Sequence, residues 1–136
     1  MDKDEALEFI RANRRGVLST TRRDGKPALT PVVAAVDDAG RVVVSTRETA
    51  LKTANLRREP WATLLIMNDA FFGPWVQIEG TTEIVSLPDA MDLLIDYYRR
   101  SVGEHRDWDD YKAAMERERR VLLRIDVQRV GPNLRG

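Results

Sequence analysis

Cysteine is absent from this 136-residue chain, and histidine occurs once, as His105. Without thiols there is no disulfide framework, thiolate metal site or cysteine nucleophile, and one histidine does not furnish a multi-histidine metal cage. A surplus of either charge sign is also lacking: 22 Lys plus Arg stand against 22 Asp plus Glu, which argues against bulk attraction to nucleic acid. No apolar run reaches the length of a membrane span. The opening residues Met1-Asp2-Lys3-Asp4-Glu5 are acidic where a secretion signal is basic and then apolar. These absences lead to the expectation of one cytoplasmic domain over residues 1–136, with no nucleic-acid partner, no membrane partner and no resident metal.

The neutral total hides charged blocks. Between Arg11 and Lys26 the bases Arg11, Arg14, Arg15, Arg22, Arg23 and Lys26 meet Asp24 alone, whereas residues 84–111 are predominantly acidic. A compact anionic ligand responds to a local patch and not to the total, although a solvated surface is the plainer explanation of any one block.

The residue pattern predicts a short amphipathic helix over Asp4 to Arg15, stopped by Gly16. Strands follow over Val17 to Thr21, Val32 to Val36 and Arg41 to Thr46, separated by turns at Asp24-Gly25 and Asp37 to Gly40, and they read as an antiparallel meander. Thr49 to Arg58 is a helix closed by Pro60. Trp61 to Met67 is a strand with little alternation, and Trp75 to Val85 is a long one in which Glu79-Gly80 suggests a bulge or a close backbone approach. Helices from Ser86 to Gly103 and from Asp107 to about Arg119 precede a last strand, Val121 to Val130, and residues 132–136 read as a tail or a dimer contact. The sum is an α+β protein with about six antiparallel strands, peripheral helices and a sheet that closes into a small barrel.

Familiar catalytic constellations are missing. His105 lies in the charged segment Gly103 to Asp107 and reads as solvent-exposed; Asp107, Asp109 and Asp110 lack calcium-loop spacing, and helix capping accounts for at least one of them. No serine has a nucleophile-elbow context, and the glycines form no dinucleotide or phosphate-loop signature. An enzyme built this way takes its reactivity from a cofactor, and no side chain is expected to be catalytic. The segment that invites a ligand runs from Ser45 to Arg58: a strand end carries Ser45 and Thr46 into a helix start, with Lys52 about one turn on. Free backbone N–H groups and the helix dipole favour an anion there, though hydroxyls also cap helices and lysines also solvate them.

The stretches Gly16 to Thr20, Gly25-Lys26-Pro27, Lys52 to Pro60, Glu79-Gly80-Thr81, Gly103 to Tyr111 and Arg119 to Leu123 occur in an order that covers nearly the whole chain. Together they resemble the actinobacterial coenzyme F420-dependent reductases of the pyridoxamine-phosphate-oxidase-like split β-barrel superfamily. The resemblance implies an FMN-binding-like split β-barrel, a homodimer with cofactor sites at the interface, and hydride transfer from reduced F420 to a small conjugated acceptor such as an unsaturated lactone or quinone. It also implies that Ser45, Thr46, Leu51, Lys52 and Asn55 hold the cofactor's phosphate and adjoining tail, and that Thr30, Pro31 and Val32 lie along the deazaflavin ring. By the same likeness Trp75 and Gln77 reach the cofactor from the partner subunit, and Arg57, Arg58 and the Arg11 to Lys26 block attract the glutamyl tail; Phe71, Phe72 and Trp75 are candidates for a flat substrate wall, with ordinary loop and interface burial as the plainer account of them. Two positions depart from the pattern: Ala50 stands where relatives often carry a second basic residue, and Gly73 replaces a bulky one. The alternatives are an FMN-dependent oxidoreductase of the same superfamily and a non-catalytic flavin- or deazaflavin-binding protein. The final Asn133-Leu134-Arg135-Gly136 lacks the arginine-rich motif with which pyridoxamine-phosphate oxidases hold their substrate, which turns the expectation away from vitamin B6 chemistry.

Overall fold

A computed structural model describes residues 1–131; the expected tail or dimer contact over 132–136 lies outside the described residues. The described residues form four helices and seven strands in the order α1 (Lys3–Ala12), β1 (Arg15–Thr21), β2 (Pro27–Val33), β3 (Ala35–Val36), β4 (Val42–Arg47), α2 (Leu51–Arg58), β5 (Trp61–Met67), β6 (Trp75–Val85), α3 (Met91–Ser101), α4 (Trp108–Arg117) and β7 (Arg120–Val130). All strands join one sheet in the order β2-β1-β5-β6-β7-β4-β3, with every pairing antiparallel. Its two edge strands, β2 and β3, are separated in sequence only by Ala34. Two residues of extended chain span roughly 7 Å, so the edges are drawn together and the sheet curls on itself. The α+β expectation holds.

The strand count and the early connectivity differ from expectation for one reason. Val32 to Val36 is not one strand: Val33 still pairs with Arg15 on β1, whereas Ala35 already pairs with Val43 on β4. The chain changes edges at the buried Ala34, so the meander is interrupted and β4 lies beside β7. Helix α1 likewise ends at Ala12, three residues early, because Arg15 and Gly16 are recruited into β1. A Cβ at Gly16 would sit 2.0 Å from the Leu65 carbonyl oxygen, so this glycine serves close strand approach and not helix termination. Helix α3 starts at Met91, about a turn after the expected Ser86, with Ser86 to Ala90 forming the turn that leads into it.

Alternation then decides what is inside. Leu18, Leu64, Ile66, Val76, Ile78, Val42, Val44, Leu123 and Ile125 point into the curl, where Ala6, Leu7 and Ile10 of α1 and Leu56 of α2 close the core. On the outer face, β4 and β7 present Val43 and Leu122 to Leu94, Tyr111 and Met115 of α3 and α4. The outer face of β2, β1, β5 and β6 carries no helix. Its residues Leu29, Val33 and Trp61 are 68%, 40% and 38% exposed. This is why β5 alternates (Ala62, Leu64 and Ile66 buried, Thr63, Leu65 and Met67 half-buried) and is not covered on both faces as its sequence suggests. No helix among the described residues is long and apolar enough to cross a membrane.

Candidate functional site

Strand β4 ends at Arg47 and the chain turns directly into α2. The turn is tied down by Glu48 N–H donating to Arg119 O at 2.8 Å and by the Thr53 hydroxyl donating to Arg47 O at 2.6 Å. Ala50 occupies the N-cap position and offers no side-chain acceptor, so the amides of the first turn of α2 are not consumed by a capping side chain. The half-buried Lys52 sits in that turn, and its ammonium has no hydrogen-bond or ion-pair partner among the described residues. Burial first, and the Arg120 guanidinium second, hold its pKa below the ordinary lysine value. A half-buried cation without a counter-ion, beside a second cation and an uncapped helix start, has the donor set of an anion site.

Arg120 is the residue that sequence reasoning missed. It pairs across the β4–β7 ladder with Arg47, which sets it at the strand end that feeds α2. Tyr97 was missed too: from α3 its hydroxyl donates to Val33 O at 2.7 Å and so fastens β2 to the helical layer. Burial raises the Tyr97 pKa, with the Ser45 backbone and Arg120 opposing. Neighbouring Tyr111 is pushed up to about 12, chiefly by burial, and donates its hydroxyl to Leu94 O at 2.8 Å. Ser45, Tyr97, Arg120 and Lys52 therefore share one electrostatic neighbourhood at the seam between the two edges of the sheet. No local signal in the sequence marks Arg120, because only the long-range β4–β7 pairing brings it there.

The other residues expected at the site divide by which way their strand or helix turns them. Thr46 and Asn55, expected at the phosphate, are 2% and 1% exposed, with their side chains turned into the interior. Asn55 donates to the Thr20 hydroxyl at 3.0 Å and accepts from Arg58 at 3.0 Å, a bridge from α2 to β1. Removing that amide strands the buried Thr20 hydroxyl, so Asn55→Ala is expected to cost about 1–3 kcal/mol of stability in chemical denaturation. Thr30 and Val32 pair with Leu18 and Gly16 on the inward side of β2, whereas Pro31 is on the outer face opposite Val17. Because β2 pairs with β1 alone, its other backbone edge faces away from the sheet.

Trp75 and Gln77 lie on the outer face of β6, opposite Met67 and Leu65. Along the sheet, three strand spacings separate β6 from β2, about 14 Å, so Trp75 and Gln77 stand apart from the Thr30 to Val32 stretch within one subunit. The exposed Leu51 opens a groove of 760 Å³ that runs along α2 to Arg57 and Arg58 and is faced by Arg22, Arg23 and Asp24 of the first hairpin. Phe71 and Phe72 project from the β5–β6 loop, 75% and 97% exposed, in edge-to-face contact at 5.0 Å. Gly73 has a local cause: a Cβ there would lie 2.5 Å from the Asn68 Oδ1 that accepts the Ala70 N–H. His105 is not simply solvent-exposed. Its ring packs on Tyr98, Trp108 and Tyr111, and its Nδ1 accepts the Asp107 N–H at 2.9 Å, while Asp107 caps α4 as expected.

A family model described as pyridoxamine 5'-phosphate oxidase matches residues 2–133. The chain belongs to this family. Among solved structures, a conserved hypothetical protein from Mycobacterium tuberculosis is 31% identical, with 96% of this chain and 82% of that chain covered and a TM-score of 0.78. An F420 reductase is similar at 20% identity, over 88% of this chain and 90% of that one, with a TM-score of 0.66. A heme binding protein from Mycobacterium smegmatis is similar at 19% identity, over 96% and 53%, with a TM-score of 0.68. The last two likenesses speak for the fold alone, and their different ligands illustrate why the ligand has to be argued from the site. Within the pyridoxamine 5'-phosphate oxidase family, the unpaired Lys52 and the uncapped α2 start fit the phosphate end of a flavin-type cofactor.

Proposed function

We propose that this member of the pyridoxamine 5'-phosphate oxidase family is a coenzyme F420-dependent oxidoreductase that acts on small conjugated acceptors such as unsaturated lactones or quinones. The observation that carries the reading is Lys52, half-buried at the start of α2 and without a counter-ion among the described residues. In this reading Lys52, Arg120 and the first-turn amides beside Leu51 bind the phosphate, with the Ser45 strand end as the floor. Thr46 and Asn55 act one step back: buried, they fix the strand and the helix that present those donors. The free edge of β2 at Thr30, Pro31 and Val32 offers backbone groups to the ring. The arginines of the groove beyond Leu51 favour a long anionic tail over a cofactor that ends at its phosphate, which supports F420 over FMN.

When bound in reduced form, the deazaflavin supplies a hydride. The chain's part is to hold ring and acceptor together and to keep water out. The uncovered outer sheet face, with Leu29, Val33 and Trp61 exposed, supports a homodimer in which Trp75 and Gln77 reach the partner's cofactor and Phe71 and Phe72 wall the acceptor. The Mycobacterium tuberculosis relative supports an actinobacterial setting, and a cytoplasmic location follows from the cofactor assigned. Sedimentation at micromolar concentration is expected to return a dimer, and a monomer would contradict a site shared across an interface.

Fluorescence titration of the purified protein with F420 and with FMN tests the cofactor. Saturable F420 binding is expected, followed by oxidation of reduced F420 in the presence of enones or quinones. Tight FMN binding with no F420 binding would overturn the reading. F420 binding with no turnover across the panel would make the protein a carrier.

A further inference from the structure

A carboxylate already occupies part of the cation cluster. Glu118, the C-cap residue just after α4, places its Oε1 2.8 Å from Arg120 Nη2 and 3.0 Å from Arg120 Nε, and 3.4 Å from Arg47 Nη2. Arg47 and Arg120 are direct partners on the β4–β7 ladder, and like charges in that relation repel. Glu118 offsets the repulsion, and the two guanidiniums hold its pKa below the ordinary glutamate value, Arg120 foremost through its hydrogen bonds. The carboxylate therefore remains an anion throughout the neutral range. Lys52, which feels the Arg120 charge, adds a further cation with no carboxylate partner among the described residues. Glu48 and Glu116 line a cavity with Arg120 as well, but Glu48 is paired with Arg57, so Glu118 is the carboxylate held directly on Arg120 and Arg47 that an anion at Lys52 and Arg120 meets.

We infer that Glu118 sets the charge class of the phosphate this cradle accepts, favouring a monoanionic phosphodiester over a dianionic phosphomonoester. The inference rests on the reading of the Lys52 cradle as a phosphate site, and its logic is Coulombic. Repulsion from Glu118 grows in proportion to the charge of the incoming group. A phosphodiester carries one negative charge. A phosphomonoester, with a second pKa of about 6, carries nearly two at neutral pH. Whatever factor Glu118 takes from diester affinity, it takes about the square of that factor from monoester affinity. The phosphate of F420 is a diester and that of FMN is a monoester, so the same carboxylate that steadies two arginines also selects between them. A glutamate that only steadied Arg47 and Arg120 would have the opposite signature, because losing it would splay the arginines and weaken both ligands.

Glu118→Gln keeps the shape of the side chain and removes the charge. Measured by fluorescence titration at neutral pH, FMN binding is expected to tighten about 100-fold in this variant and F420 binding about tenfold, so that the FMN-to-F420 affinity ratio rises about tenfold. Glu118→Asp, which keeps the charge, is expected to retain the wild-type ratio within about threefold. Glu118→Ala serves as the uncharged variant if Glu118→Gln fails to give a native circular-dichroism spectrum. An unchanged or weakened FMN affinity in the uncharged variant overturns the inference while leaving the cradle intact. A wild-type protein that binds neither ligand overturns the cradle and the inference together.

Discussion

Lys52→Met is expected to weaken F420 binding about 10- to 100-fold while raising the melting temperature of the cofactor-free protein. Methionine keeps an unbranched apolar stem of similar length and removes only the charge. The binding arm follows from the loss of a charge-assisted hydrogen bond, worth about 1.5–3 kcal/mol, at about 1.4 kcal/mol per tenfold in affinity. The stability arm follows from the direction of the lysine's own pKa. Burial and Arg120 disfavour the charged form in the folded chain, so the folded pKa lies below the ordinary value of 10.5. A lysine in that condition lowers stability wherever the unfolded chain still carries its proton. The deficit is complete below the folded pKa and vanishes only as pH rises past the unfolded one. At neutral pH the deficit is present in full, and removing the charge relieves it. Calorimetry without cofactor and titration with it separate the two arms. A residue kept for solubility or packing would move neither in this way, and a variant that bound F420 as before would remove Lys52 from the site. The wild-type affinity is also expected to fade with rising pH earlier than an ordinary lysine would allow, because the ammonium is lost sooner.

What was legible in the sequence was local, and what was hidden depended on closure of the sheet. Trp61–Met67 and Trp75–Val85 fall where their apolar runs and flanking Asn, Gly and Pro residues place them. The Asp107 cap and the turns at Gly25 and Gly40, both with positive φ, follow from residue chemistry alone. The change of edge at Ala34 leaves no mark in the periodicity, since Val32 to Val36 is apolar throughout and only its pairing partners differ. Asn55 shows the same limit inside the site. The family resemblance implies that it holds the phosphate, but Thr20 of β1 claims its amide once α2 packs on the interior. Arg120 is the converse case: nothing near it in sequence speaks of a ligand, and its partnership with Arg47 across β4 and β7 places it beside Lys52.

Gly80→Ala is expected to be the most damaging single-methyl substitution in the sheet, costing about 3 kcal/mol or more and lowering the melting temperature by about 10 °C. The cause is the bulge that the Glu79-Gly80 pair predicts. Glu79 pairs with Arg129 but Gly80 pairs with Val127, so Gln128 is passed over and β7 carries one extra residue. At that point the two backbones come so close that a Cβ on Gly80 would lie 1.8 Å from the Asp126 carbonyl oxygen and 3.3 Å from Ile125 Cγ2. The first contact is with backbone, which has no rotamer to yield, so β6 and β7 must part. These are the two longest strands of the sheet, eleven residues each, and β7 also carries Arg120 into the cradle. Stability of a domain this size is about 5–15 kcal/mol, so the loss takes a large share without abolishing folding. Thr81→Ala, at the next and exposed position, is the matched control and is expected to fall within about 1 kcal/mol of wild type. If the two variants melt within about 2 °C of each other, the close approach at Gly80 is not what sets the register of β6 on β7. If they separate as expected, part of the loss should appear as weaker F420 binding in folded Gly80→Ala, because the register that the bulge sets runs up β7 to Arg120.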